Sequence, residues 1–281
     1  MDNTVSVYIY FDTDTFHNFA ETFKNHPLAD DLRDAILFSP VTFTEVFTHL
    51  AEGNWGQQVH DQINGLHNWV NKDHTGVLPW MDDFLNAIAF GVPTTDTTYQ
   101  AQLKQDLDVL LNARLEDVVD VAKRRRDKAI DVKTREAADF QAAVEYFRKN
   151  PFSEETFTEV WCAGQRKRVK QQHNPKPNAD IVTALSAFHE FDCEKLKVAL
   201  ANPDYNILKN KNDLLDAEQL IYLGDPNLHF LVIDRGYLRK VIRSPFRSRI
   251  HQVEPKDLAT PAAAEGVLRG IIGSSTPFRA A

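Results

Sequence analysis

The stretch VSVYIYFDTDT at residues 5–15 sets the frame for the whole chain. Val5 to Phe11 is a short run rich in β-branched and aromatic residues, closed by the turn-prone DTDT. That is the pattern of a buried strand rather than of a helix. The strand is expected to stop at Asp12, so a carboxylate is delivered at its carboxyl end. A second run of the same kind, HFLVID at 229–234, also closes on an aspartate, Asp234.

Outward from the first strand, TFHNFAETFKNHP and DDLRDAI read as helical, ILFSP as a brief extended piece, and Ser39-Pro40 as the capped start of the helix VTFTEVFTHLAEG. Ser is a preferred N-cap and Pro suits the first helical position, which puts Glu45 in the second turn. From about Glu52 to Tyr205 long helical segments follow one another, broken by Pro and Gly, with joints at NPKPNAD (174–180) and ANPDYN (201–206). FSPVTFTEVF at 38 and FSEETFTEVW at 152 echo each other. Their flanks share nothing more, so they read as two helix starts with the same capping chemistry.

Beyond residue 206 the alternation returns. NKNDLLDAEQLIYLGD is an amphipathic helix, HFLVID the second strand, RGYLRKVIRS another helix start, RIHQVE a third strand and AAAEGVLRGIIG a last helix. Strands alternating with helices predict a mainly parallel, three-layer sheet. It would be assembled from 1–51 and 206–281, with 52–205 projecting from it as an all-helical insertion.

The chain of 281 residues is 43% hydrophobic, enough for a substantial core. Its two cysteines form no CxxC pair, which argues against a disulfide framework or a structural zinc site. MDNTVSVYIYF carries no basic leader and no stretch is long and apolar enough to span a membrane, so the expected location is the cytoplasm. A net charge of −8 argues against nonspecific coating of duplex DNA. Basic runs do occur, at Lys123–Lys128 and Arg166–Lys170, and a solvated helix face is the plain reading of each. No GxxxxGK[ST], GxGxxG or GxSxG occurs, so nucleotide-hydrolase, dinucleotide and serine-hydrolase readings have no support. His60, His67 and His74 recur at seven-residue spacing, but Gly65 and NKDHTG interrupt the segment. Without an HExxH pattern they read as surface or packing residues. Trp55, Trp69, Trp80 and Trp161 read first as core of the helical stretch, with stacking on unpaired bases as the functional alternative.

Ligands of open parallel sheets bind at the carboxyl ends of the strands, so Asp12 and Asp234 are expected to meet. Asp213 and Asp216, three apart on one helix, share a face that can turn toward them. Several carboxylates converging without an interleaved Lys or Arg repel one another unless a hard cation such as Mg²⁺ or Mn²⁺ is held between them. Such a site suits hydrolysis of a phosphodiester.

These residues resemble the PIN-domain nucleases. VYIYFDTDTF resembles the opening of that family, a hydrophobic strand running into Asp, a small residue and then Asn or Asp. SPVTFTE is similar to its Ser-x-x-Thr-x-x-Glu helix start, and DAEQLIYL with the Asp of FLVID eighteen residues after Asp216 is similar to its last two acidic motifs. The resemblance covers 5–50 and 206 to about 272. It implies a PIN-like, Rossmann-like α/β core and Mg²⁺ or Mn²⁺ as cofactor. Asp12, Glu45, Asp216 and Asp234 would be the catalytic set. Asp12, Asp213, Asp216 and Asp234 would be metal ligands, Glu45 completing the shell or orienting water. Asp14, Arg166, Lys167, Arg168 and Arg235 would contact substrate. The implied activity is that of an endoribonuclease on single-stranded or structured RNA. A homo-oligomer or an inhibitory protein partner stays open. The alternatives are a degenerate PIN-like module that binds RNA or protein without cutting, and a metal-dependent nuclease or phosphoesterase acting on DNA or a small phosphoester.

Overall fold

The computed structural model describes residues 7–70, 76–91, 112–168, 176–205 and 212–274, with single positions between them. The fold is α/β and mostly helical, 72%, around a small parallel sheet. Its strands are β1 (Tyr8–Phe11), β2 (Leu228–Val232) and β3 (Ile250–Gln252), in the order β1-β2-β3. Tyr8 stands opposite Leu228 and Phe11 opposite Leu231, both pairs parallel, and Phe230 stands opposite Ile250. On the far side of β1, the parallel bridges Ile9 to Ile36 and Phe38 to Val77 show that ILFSP is extended as its sequence suggests.

Parallel neighbours cannot be joined by a tight hairpin, so the chain must cross back through helices between β1 and β2. These are α1 (Thr13–Phe23), α2 (Asp30–Arg33), α3 (Pro40–His49), α4 (Gly53–Asn64), α5 (Met81–Phe90), α6 (Leu115–Lys149), α7 (Glu154–Arg168), α8 (Asn178–Ala184), α9 (Ser186–Ala201) and α10 (Asn212–Gln219). After β2 come α11 (Gly236–Lys240) and α12 (Pro261–Ser274). Ser39 caps α3 through Val41 N at 3.2 Å with Pro40 behind it. Ser153 accepts from Thr156 N at 3.0 Å at the start of α7. The internal echo is thus two helix starts sharing one capping solution.

Successive side chains of a strand point to opposite faces, and both faces are covered. Ile9, Phe11 and Leu231 enter one buried cluster with Phe16 and Phe19 of α1, Val46 of α3, Ile63 of α4, Trp69, and Leu268 of α12. Tyr10, Leu228, Phe230 and Val232 enter another with Leu85 of α5, Trp161 of α7, Phe188 and Phe191 of α9, and Tyr237 of α11. The helices of 52–205 therefore contribute to both clusters together with the sheet. Burial of apolar area drives this: α1 packs on β1 and β2, and α4 packs in turn on α1. Helix α6, about 50 Å long, joins the two sides. Val118 and Ala122 near its start lie in the first cluster, Val144 and Phe147 near its end in the second.

Phe230 is fully buried, stacked on Tyr10 at 4.7 Å and edge-on to Tyr237 at 4.9 Å. Phe230→Ala is expected to cost about 3–5 kcal/mol in urea unfolding. The exposed Tyr146→Ala is expected to stay within about 0.5 kcal/mol.

Candidate functional site

The parallel pairing of β1 and β2 puts their carboxyl ends side by side. Asp12 follows β1 directly, its backbone N–H donating to Leu231 O at 3.3 Å and its Oδ1 accepting from Thr15 N at 2.9 Å as the N-cap of α1. It is buried. Its carboxyl is raised to about 7, by burial first and by the charges of Asp14 and Asp234, against the lowering effect of hydrogen bonds from Thr15. Asp234 is exposed two residues past β2, with Oδ1 accepting from Gly236 N at 2.7 Å. A Cβ on Gly236 would lie 2.9 Å from Asp234 Oδ2, so any larger residue there would push the Asp234 carboxylate aside.

Glu45 reaches the same edge from α3. Its Oε2 accepts from the Thr13 hydroxyl at 2.6 Å, and its Oε1 from Lys133 Nζ, midway along α6, at 3.0 Å. Gln219 at the end of α10 is bound twice. Its carbonyl accepts from Tyr10 at 2.8 Å, and its side-chain amide donates to Thr42, which donates in turn to Phe11 O at 2.7 Å. The helix that carries Asp216 is thereby fixed to β1 and α3. Tyr237 of α11, a buried ring three residues past Asp234, gathers the remaining acids. Its phenol is pushed far up by burial first, then by the charges of Asp216, Asp12 and Glu45.

Asp12, Asp14, Glu45, Asp216 and Asp234 thus share one neighbourhood. Asp213 lies a turn earlier on α10, and its side chain falls outside the described residues. Among the described residues, one group of three ligand-type side chains has its atoms within 4.8 Å, and it is Glu154, Cys193 and Glu194. There Glu154 is already held by Lys197 at 2.6 Å and by Arg243, and burial pushes the Cys193 thiol up to about 11. The described acids at the sheet edge stand farther apart than that. Asp12, Asp216 and Asp234 are the residues there that could hold one. Both cysteines are free and buried.

The basic run of α7 is placed differently from its reading as a substrate guide. Arg166 donates to Lys176 O at 3.0 Å and to Asn178 at 2.5 Å, and Arg168 to Asp82 at 2.7 Å and Glu218 at 2.8 Å. Guanidinium groups engaged in internal forks are not offered to a strand, which leaves Lys167 exposed; Val169 and Lys170 lie outside the described residues. Arg235 pairs with Glu254. The cations near the acids come from α6, through Lys133 on Glu45 and Arg126, which donates to Ala51 O at 3.5 Å just past α3. Sequence reasoning passed over Lys133 and Tyr237. Lys133 had no local signal, whereas Tyr237 could have been found as an aromatic one turn from Asp234.

The histidine stripe binds backbone. His60 meets Ala113 O at 2.8 Å and His67 meets Asn64 O at 2.6 Å, while His74 lies outside the described residues. A recess of about 500 Å³ lined by Gln57, His60, Asn64 and residues 112–116 contains none of the five acids. Among the described residues no helix is long and apolar enough to cross a membrane. No protein-family model, curated protein or solved structure matches the chain.

A carboxyl group raised on folding weakens the fold as it ionises. Between its unfolded value near 4 and its folded value near 7 the native state holds the extra proton, so stability falls as pH rises through that window. Asp12→Asn keeps the cap and removes the charge. Without metal, the variant is expected to gain on the parent from pH 4 to pH 7 and then level off, by up to about 4 kcal/mol. Thermal unfolding of both proteins in chelator across that range measures it.

Proposed function

We propose that this chain is a metal-dependent endoribonuclease with a PIN-like, three-layer Rossmann-like core. The single observation that carries the reading is the meeting of Asp12, Glu45, Asp216 and Asp234, drawn from both ends of the chain, at the carboxyl edge of parallel strands. Oxygen donors of this kind fit Mg²⁺ or Mn²⁺. Asp12, Asp216 and Asp234, with Asp213 assisting, would hold such an ion, which would supply charge stabilisation at the scissile phosphate and a more acidic water.

The chain's own residues do the positioning. Thr13 and Lys133 fix both oxygens of Glu45, leaving its carboxylate in one orientation from which to steer a water and take its proton. Thr15 and the Leu231 carbonyl lock Asp12, and Gly236 holds Asp234. Tyr237 is kept protonated by burial and by its acidic neighbours, so its hydroxyl retains a proton to donate toward them. Asp14, exposed beside Asp12, and Lys167 face solvent where a strand would pass.

One observation favours the non-cutting alternative. Lys133 already neutralises Glu45, as a module that only binds RNA or protein would tolerate.

Cleavage of a mixed RNA set by the purified protein in Mn²⁺ decides between them. Asp234→Asn is expected to lose at least about a hundredfold, since even groups behind metal ligands are worth ten- to a hundredfold. Equal activity in variant and parent would sink the assignment, and preferential cleavage of DNA or of a simple phosphoester would move it to those substrates. Gly236→Ala, which crowds the Asp234 carboxylate without removing it, is expected to lower kcat by about tenfold or more while the melting temperature stays close to the parent's.

A further inference from the structure

The four tryptophans divide sharply. Trp69 is fully buried, Trp161 is buried with its indole donating to Asp192 at 2.8 Å, and Trp80 packs half-buried on the second cluster. Trp55 is 39% exposed, and it rests on two imidazoles. Its ring lies 5.0 Å from that of His17 and 4.9 Å from that of His49, while the two histidine rings stack at 5.2 Å. Hydrogen bonds fix this base. His17 Nε2 meets His49 Nδ1 at 2.9 Å, and His17 Nδ1 meets the buried Gln62 at 2.8 Å.

The position of the cluster follows from helical spacing. His17 is three residues after Asp14 on α1, and His49 is four after Glu45 on α3, so each imidazole lies on the same helix face as a site acid, one turn along. The Thr13 to Glu45 bond clamps the two helices together at the acidic end. The corner between α3 and α4 then brings Trp55 over the pair. A Cβ on Gly56 would stand 2.5 Å from Leu50 O, so this close approach of α4 to the end of α3 needs glycine beside Trp55. Arg126 of α6 reaches the same corner at Ala51, and Lys123 and Arg124 lie exposed a few residues before it.

We propose that Trp55, seated on the His17–His49 pair, is a stacking shelf for an unpaired nucleobase. The same strand's backbone would lie at the carboxylates with the cations of α6 beside it. The inference rests on the nuclease reading and deepens it by assigning a position at which one base of the strand is held. An exposed indole backed by flat rings offers its π-surface to any base, and a base in a duplex has no free face to give it. Continuity with the acids, one helical turn away, and the basic run Lys123–Arg126 of α6 select a nucleic-acid strand over an apolar partner.

The test uses the full-length protein. Binding of a labelled unpaired oligonucleotide is read by fluorescence anisotropy in Ca²⁺, and its cleavage separately in Mn²⁺. Trp55→Ala is expected to weaken binding by roughly ten- to a hundredfold, in line with the stacking of one base, and Trp55→Phe to retain most of it. Moving one abasic position along the oligonucleotide should reproduce the loss in the parent at a single site and add nothing in Trp55→Ala. Circular dichroism confirms that both variants fold. Parent-like binding by a folded Trp55→Ala, with Asp234→Asn still inactive, overturns the shelf and leaves the nuclease reading standing. A parent that neither binds the strand nor cuts it overturns both, and a parent that binds without cutting still decides the shelf through the binding arm.

Discussion

Parallel pairing of Tyr8–Phe11 with Leu228–Val232 is the constraint on which the rest of the molecule depends. Residues from opposite ends of the chain can lie side by side in this sense only if the chain between them crosses over, which here it does mainly through helices. The helices must then cover both faces of a sheet whose strands are apolar throughout. That is why the middle of the chain, whose sequence looks like an independent helical unit, is spread over both hydrophobic clusters. Val77 even joins the sheet edge through its bridge with Phe38. The same pairing aligns the carboxyl ends of β1 and β2, so Asp12 and Asp234 become neighbours by topology rather than by local sequence.

Charge is the second constraint. Asp12 lies buried with Asp14 and Asp234 acting on it, and Tyr237 lies among Asp216, Asp12 and Glu45. A fold optimised for stability alone would not bury a carboxylate among others, and the cost is carried by the packing of Phe230, Tyr10 and Tyr237 beneath it. Lys133 offsets one of the charges and links α6 to the site. Elsewhere the chain treats acids conventionally. Asp82 and Glu218 share Arg168, and Glu154 shares Lys197 and Arg243.

Strands were legible because a short β-branched and aromatic run closed by an acid has few other readings. Tyr8–Phe11 of the first run and Leu228–Val232 at the second form strands, RIHQVE forms a shorter one, and Ser39-Pro40 starts a helix as its chemistry requires. What escaped was long-range. Nothing local distinguishes Arg168, held between Asp82 and Glu218, from a solvated arginine in a basic run. Nothing local tells that the middle of a 35-residue helix meets Glu45. Trp55 and Trp69 lie fourteen positions apart in similar surroundings of sequence, yet one is core and the other surface, because the α3–α4 corner turns only the first outward.

The central claim is that the carboxylates at the carboxyl edge of β1 and β2 act together as a cation site. Titration of the full-length protein with Mn²⁺ by isothermal calorimetry, beside Asp12→Asn and Asp216→Asn, tests it most directly. The account predicts saturable binding by the parent with a clear loss of affinity in each variant. Binding of equal strength in all three, or no binding by the folded parent, would contradict it.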